Sequence, residues 1–426
     1  MNAGLLIIIL LLGLSFLGFP IYLALGIGAL AALNLADLPL IVLPQRMFAG
    51  MNSSALLAIP FFILAGNIMS RSITGKLIDI CNAIIGHIKG SLALVTILAS
   101  ALFGAISGSG VATASAIGGI TIPAMKREGY PAPFAVGVAS ISSILGPIIP
   151  PSIVLIVYAS ITNVSVAELF LGSVLPGIIL AVALIAYGLY YGHKHNLPAH
   201  EKPNLKKIGT SVRKGIWALL MPIIMLGGIL SGIFTATEAA VVGVFYALVV
   251  GLFILKGITV KDVMDSLGTT AKTSADMYLL MSSGAIITWM MARAGIPGQL
   301  TQMLLGINDS PAFIFAVAIL LILFLGMFMD NAVAMILVAP ILAPIARTVG
   351  IHELQFGAVM VVALNIGLIT PPFGMCLFAS AQVSKVKFEK MIPYVWPFLF
   401  VSILVMILMA CVPEICLLLP RLGGFI

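Results

Sequence analysis

The sequence predicts an all-α polytopic membrane protein built as an inverted-topology repeat, with two re-entrant helical hairpins and two proline-broken helices. Three observations carry that prediction: the composition, the interruptions of two long apolar runs, and landmarks that agree at a single offset. Of 426 residues, 61% are hydrophobic and only 8% are charged, against roughly 25% charged in soluble domains. Apolar runs able to cross ~30 Å of hydrocarbon recur along the whole chain. A soluble globular enzyme, a disordered chain and a collagen-like chain are excluded.

Full spans are expected near 3–33, 54–72, 131–162, 168–192, 216–234, 238–256, 274–292, 354–382 and 391–413. The N-terminal run begins at Leu5 with no basic region before it, so it reads as the first span rather than as a removed signal peptide. Two further runs, 91–125 and 311–346, are too long for one span and short for two. Each is broken at its middle, by Ser107-Gly108-Ser109-Gly110 and by Met329-Asp330-Asn331. A half of ~17 residues reaches only ~25 Å as a helix. Each run therefore fits a hairpin that enters and leaves on one side, its irregular tip sheltered by protein or water.

The basic residues fix the orientation. All fourteen lysines, with Arg71, Arg127 and Arg213, fall in one set of loops; Arg46, Arg293, Arg347 and Arg421 fall in the other. Positive-inside bias makes the lysine side cytoplasmic. The N-terminus is then inside and the C-terminus outside, and the net charge of +7 is a topology signal rather than a nucleic-acid surface. A shift of 221 places Pro123 on Pro344, Gly146 on Gly367, Pro150-Pro151 on Pro371-Pro372, Glu168 on Glu389 and Pro176 on Pro397. It also brings Ser109-Gly110 onto Asp330-Asn331. The two copies face opposite ways in this topology, an arrangement that puts a transport site near the midplane. The polar segment from His193 to Lys214 links the halves.

The chemistry is expected at the breaks. A helix proline leaves the carbonyl four residues earlier without its donor. That exposes the carbonyls of Ser143, Gly146 and Pro147 in one copy, and of Gly367 and Leu368 in the other. With Ser107, Gly108, Ser109 and Gly110 at one tip, and Gly326, Asp330, Asn331, Asn365 and Thr370 in the second copy, they form two sets of hard oxygen ligands. No His/Cys cluster suits a transition metal, so the expected ions are Na⁺, two or more, with protons as the alternative because Asp330 titrates. Asp330 also fits a helix N-cap, and an intramembrane carboxylate is usually functional. The half-helices that follow the tips, from about Val111 and Ala332, aim unpaired N–H groups and partial positive charge at the midplane. An organic anion is the natural ligand, against Ser109, Val111, Thr113, Pro150, Asn331 and Pro371. No organic cofactor is implied.

Other signals are weaker. Thr235-Ala236-Thr237-Glu238 matches a capping box, and Arg293 sits at a helix end. Both are on the outer face, where charge is scarce; with Ser165 they are candidates for docking a soluble partner. His193, His195 and His200 sit in the basic inner loop as solvated residues, and the four cysteines form no CxxC pair. There is no GxxxxGK[ST] phosphate loop and no Ser/His/Asp or HExxH constellation within a span, so the chain does not read as an enzyme. An ion channel would need a continuous polar pore, whereas the polar residues cluster at two midplane breaks.

Pro60-Phe61-Phe62-Ile63-Leu64-Ala65-Gly66, the Ser107-Gly108-Ser109 tip, Gly146 to Ser152, and Thr235 to Ala240 resemble the large membrane subunit of tripartite ATP-independent periplasmic (TRAP) transporters, over essentially the whole chain. Where that family has a proline in its Thr-Glu-Ala-Ala motif, this chain has Ala236. The resemblance implies an elevator-type, sodium-driven importer of organic acids in a bacterial inner membrane, nearest to the sialic-acid branch. A proton-coupled C4-dicarboxylate carrier, or a stand-alone antiporter of the same superfold, is the alternative. It further implies a small four-helix membrane subunit and a periplasmic substrate-binding protein. The expected division is a scaffold of 1–90 and 215–307, and a transport domain of 91–192 and 308–426, with 193–214 as the cytoplasmic linker.

Overall fold

A computed structural model of the chain describes residues 9–10, 13–14, 17–199, 205–371, 373–384 and 386–426. His200, Lys202, Pro372, Lys385 and most of the first half of the 3–33 span lie outside them. The described residues are helical, with no strand. Six of the helices are long and apolar enough to cross a membrane, or seven if one bent pair counts as a single span.

On one side, α1 (Ile21–Leu35) and α2 (Val42–Met51) pack on the long α11 (Val260–Arg293). Beside them, α3 (Ala58–Ile85) packs against α11, α9 (Leu205–Leu230) and α10 (Ala236–Leu248). The two interrupted runs form helix pairs that pack on themselves. The pair α4 (Ser91–Ser107) and α5 (Gly110–Arg127) is joined by two residues, and so is the pair α13 (Pro311–Phe328) and α14 (Asn331–Thr348). Gly and Ser end α4 because Gly108 takes φ +60°, a conformation that costs glycine little and L-residues more.

The proline-rich spans are broken as expected. In the first, α6 (Ala132–Ser142) tightens into a 3₁₀ turn at Ser143–Leu145, crosses an irregular stretch, and resumes as α7 (Ile153–Thr162). Ser152 starts α7 by accepting from the Leu155 N–H at 3.3 Å. In the second, α15 (Glu353–Gly367) ends at the break and α16 (Met375–Ser384) follows. The remaining long helices are α8 (Val166–Lys194) and α17 (Phe388–Cys411).

Elements that the 221-residue offset pairs are packed reciprocally. The second hairpin arm α5 lies against α16, beyond the other copy's break; its counterpart α14 lies against α7. Likewise α6 packs on α17, and α15 on α8. Close approach of the backbone holds each break to its own hairpin. A Cβ on Gly104 would stand 2.4 Å from the Gly146 Cα, and one on Gly367 would stand 2.7 Å from the Gly326 Cα. Only glycine fits both contacts. Burial separates core from lipid-facing helices: every residue from Leu354 to Gly367 is buried, as suits a helix apolar all round. On α17, by contrast, Trp396, Phe400, Leu404 and Leu408 form an exposed stripe at spacing four.

Three elements were not foreseen. The short helices α2, α12 (Ile296–Ile307) and α18 (Glu414–Leu422) lie outside the expected spans. The axis of α12 is bent 65° from that of α11. In addition α11 begins well before the expected 274–292 span, because Thr259 and Asp262 form a capping box that starts the helix among charged residues. Hydropathy marks only the apolar part of such a helix, not its caps.

Candidate functional site: two hairpin tips around one cavity

At the first tip Ser109 caps α5, its hydroxyl accepting from the Ala112 N–H at 3.4 Å. The Thr113 hydroxyl donates to the Ser109 carbonyl at 2.7 Å and lies 3.3 Å from the Ser107 hydroxyl. Thr113 thus braces the turn from behind. It is fully buried, and a Cβ on Gly146 would come within 2.8 Å of its hydroxyl. The tip therefore rests directly on the first break. A Cβ on Gly110 would stand 3.5 Å from the Ser143 carbonyl of the same break, and 3.1 Å from Cys376 Sγ, where the tip reaches the second copy.

At the second tip Asp330 caps α14, accepting from the Ala332 N–H at 2.9 Å. The N-cap role foreseen for this carboxylate is realised. Asn331 donates its amide to Asn365 Oδ1 at 2.7 Å, and Asn365 donates to the Val361 carbonyl at 2.7 Å. That chain fixes the Asn331 amide orientation and leaves its Oδ1 buried with no hydrogen-bond partner among the described residues. An unpaired buried acceptor costs about 1–3 kcal/mol and is the kind of group a cation satisfies.

The two tips meet. Gly108, Ser109, Gly110, Val111, Pro147, Asp330, Asn331 and Leu368 line one small cavity of about 50 Å³, room for a small ion or a water. Ser109, Val111, Ile153 and Met277 line both this cavity and a second of about 330 Å³. The larger one lies between the first hairpin and helices α3 and α11. Its far wall consists of Asn67, Ser70, Thr269, Thr273 and Met277, which sequence reasoning missed. The available signal was a set of hydroxyls at helical spacing, Thr269 and Thr273.

Several expectations need correction. Of the five carbonyls thought bare, four have donors. Ser143 O accepts from Gly146 N at 3.1 Å, and Pro147 O from the Ser152 hydroxyl at 2.5 Å. Gly367 O accepts from Thr370 N at 2.9 Å, and Leu368 O from Cys376 N at 3.0 Å. Local turns re-pair these groups, although each oxygen keeps a second lone pair. Pro150 and Pro371 line neither cavity, and Gly326 packs on Gly367. The Thr370 hydroxyl donates to the Ile366 carbonyl at 2.7 Å.

On the expected outer face, Ser165 caps α8, and Thr235 and Glu238 form the predicted capping box. Ser165 and Thr235 to Thr237 line a shared cavity of about 360 Å³. Arg293 lies apart from it. There Arg46 and Arg293 both approach Trp289, at 4.6 and 5.9 Å from its ring centroid.

A multi-pass helical protein whose broken helices and hairpin tips converge on one polar cavity has the architecture of a secondary transporter. Residues 7–415 match the profile of the tripartite ATP-independent periplasmic transporter DctM component, and the chain belongs to that family. It is 36% identical to the sialic acid TRAP transporter large permease protein SiaM of Vibrio cholerae, over 96% of this chain and 97% of the relative. It is 34% identical to the C4-dicarboxylate large permease DctM of Rhodobacter capsulatus, over 99% and 100%. The fold resembles the Alcanivorax borkumensis YdaH transporter, with a TM-score of 0.60 at 12% identity, over 87% of this chain and 86% of that one.

Proposed function

We propose that this chain is the large permease of a sodium-coupled importer of an organic acid anion. The observation that carries the reading is the meeting of both tips around the 50 Å³ cavity, lined by Asn331, whose Oδ1 is unpaired among the described residues. Na⁺ suits this set of hydroxyl, carboxylate, amide and carbonyl oxygens. Ser109, Asp330, Asn331 and the backbone at Gly108 and Gly110, which line that cavity, are its ligand candidates, with Ser107, Ser143 and Gly146 packed against the tip. The neighbouring 330 Å³ pocket then holds the substrate, and an ion in the smaller cavity stabilises the anion across the shared wall.

In this reading the two hairpins are re-entrant and move with the broken helices past the scaffold of 1–90 and 215–307, carrying the site from one side to the other. The relatives' names point to substrates that include sialic acid and C4-dicarboxylates. The family's tripartite make-up supports two partners for this chain: a small four-helix membrane subunit and a periplasmic binding protein that delivers the acid. The lysine bias supports a cytoplasmic N-terminus and a periplasmic C-terminus.

Uptake into proteoliposomes that hold the chain with its small subunit, with the acid presented by its periplasmic binding protein, tests the reading. A sodium gradient should drive accumulation of labelled acid, and an equal potassium gradient should not. Asp330, a carboxylate at the cavity, favours proton coupling as the second reading. Accumulation driven by a pH gradient without sodium would select it.

A further inference from the structure

The 50 Å³ cavity between the tips draws its lining from the hairpins and the broken helices, with one exception among the described residues: Met277 of α11. Met277 belongs to the segments proposed as scaffold, and the rest of the lining to the segments proposed to move. With Ser109, Val111 and Ile153 it also forms the wall toward the larger cavity. That larger cavity shares Ser70 and Ala116 with a wider cleft of about 550 Å³, whose lining includes Arg71, Lys76 and Asp79. A route from charged surface groups to the tips therefore runs past Met277.

The backbone at Met277 is held from one side. The Tyr278 hydroxyl donates to the Leu56 carbonyl at 3.0 Å, and Asn67 donates its amide to the Thr270 hydroxyl at 3.1 Å. These bonds, on either side of Met277, tie this stretch of α11 to α3 and the turn before it. Two turns further along the same face, α11 meets the second hairpin through an apolar contact. A Cβ on Gly284 would stand 2.2 Å from Ile336 Cγ2 of α14. Apolar contact is non-directional, so it can slip where the hydrogen bonds to α3 cannot.

A thioether is a poor ligand for Na⁺, but its unbranched, flexible chain fills irregular gaps. Met277 is half-buried at the wall between the two cavities. We propose that Met277 is a stationary lid, which screens the ion cavity in this position of the hairpins and stays behind when they move. This rests on the carrier reading above, and it gives retention of the ion to a residue that does not coordinate it. Without the lid, water enters, and the attraction between ion and oxygen weakens as the local dielectric rises.

Sodium titrations of the full chain with its small subunit in lipid nanodiscs, read by melting temperature, test the screening. Met277→Ala should raise the sodium concentration for half the stabilising effect by about fivefold or more. Met277→Leu, of similar volume, should stay within about twofold of the unaltered chain. A purely structural role would lower the sodium-free melting temperature and leave the half-effect concentration unmoved, and that result overturns the proposal. For the stationary part, Met277→Cys and Val154→Cys, which both line the small cavity, are joined by a short bifunctional thiosulfonate after the four native cysteines are replaced by serine. The link should stop receptor-dependent uptake until a reductant releases it. Undiminished uptake by the linked protein, or failure of the link to form, overturns the proposal while sodium coupling stands. The carrier reading fails by a different result, sodium neither stabilising the unaltered complex nor driving its uptake, and the lid falls with it.

Discussion

Asp330 and Asn331 were visible in the sequence because a carboxylate and an amide in an apolar run are costly and rarely placed there without use. The structure gives Asp330 a cap to make and leaves Asn331 Oδ1 without a partner. Replacing Asn331 with alanine removes the unpaired acceptor and also strands Asn365 Oδ1. Sodium-driven uptake should fall about tenfold or more, with membrane insertion intact. Ser107→Ala and Asp330→Ala should behave alike; unchanged sodium dependence in Asp330→Ala would remove it from the ion site. The α3 and α11 side of the larger cavity was not legible. Thr269 and Thr273 lie in a helix where hydroxyls bonded to the preceding turn are common, and nothing in one sequence says which of them meets a cavity. The prolines misled in the other direction, since local turns re-paired most of the carbonyls they had freed.

Among the elements, the breaks and tips could be read because glycine, proline and serine punctuate apolar runs. Their mutual packing could not, as it depends on contacts between segments far apart in the chain. The Gly326–Gly367 contact shows how tight that packing is. A Cβ at residue 367 would meet the Gly326 backbone at 2.7 Å, which a side-chain rotation cannot relieve. Gly367→Ala should therefore cost about 1–3 kcal/mol, read as a lower melting temperature in detergent. Gly119→Ala, where a Cβ has nothing within 4 Å, should leave it unchanged. Elsewhere, Arg71 pairs with Asp262 at 2.7 Å and so joins α3 to α11. The Thr259 hydroxyl, then the Thr259 N–H and Arg71, hold the Asp262 carboxyl below its usual range. A depressed folded pKa stabilises above the unfolded value, and the effect is lost as pH falls through the folded one. The destabilisation by Asp262→Asn should accordingly be constant from neutral pH down to about 5, and shrink below about 4. Melting curves across that range check it.

Over the whole molecule, the topology proposed from the charge asymmetry leaves few charged groups for recognition on the outer face. With the four native cysteines replaced by serine, Lys387→Cys should react with a membrane-impermeant maleimide only from the cytoplasmic side, and Arg421→Cys only from the periplasmic side. The reverse pattern would invert the topology and with it the direction of each hairpin. Within the proposed topology, Ser165, Glu238 and Arg293 are the candidates for docking a soluble receptor. The cap residues Ser165 and Thr235 line one cavity, and Glu238 is held in the capping box with Thr235. Arg293 instead lies over Trp289, with Arg46 on the same ring. Two guanidinium groups on one indole form a positive patch, held by an aromatic face rather than by a carboxylate. Such rim charges steer encounter and set register more than they add affinity. Arg293→Glu should abolish receptor-dependent uptake and leave sodium binding by the membrane complex unchanged, because Arg293 lines neither the ion cavity nor the larger pocket. Arg46→Glu, acting on the same patch, should weaken uptake in the same assay, and raised salt should mimic it in part. Loss of sodium binding in step with uptake would place Arg293 in the transport site or the fold, and the docking assignment would then fall.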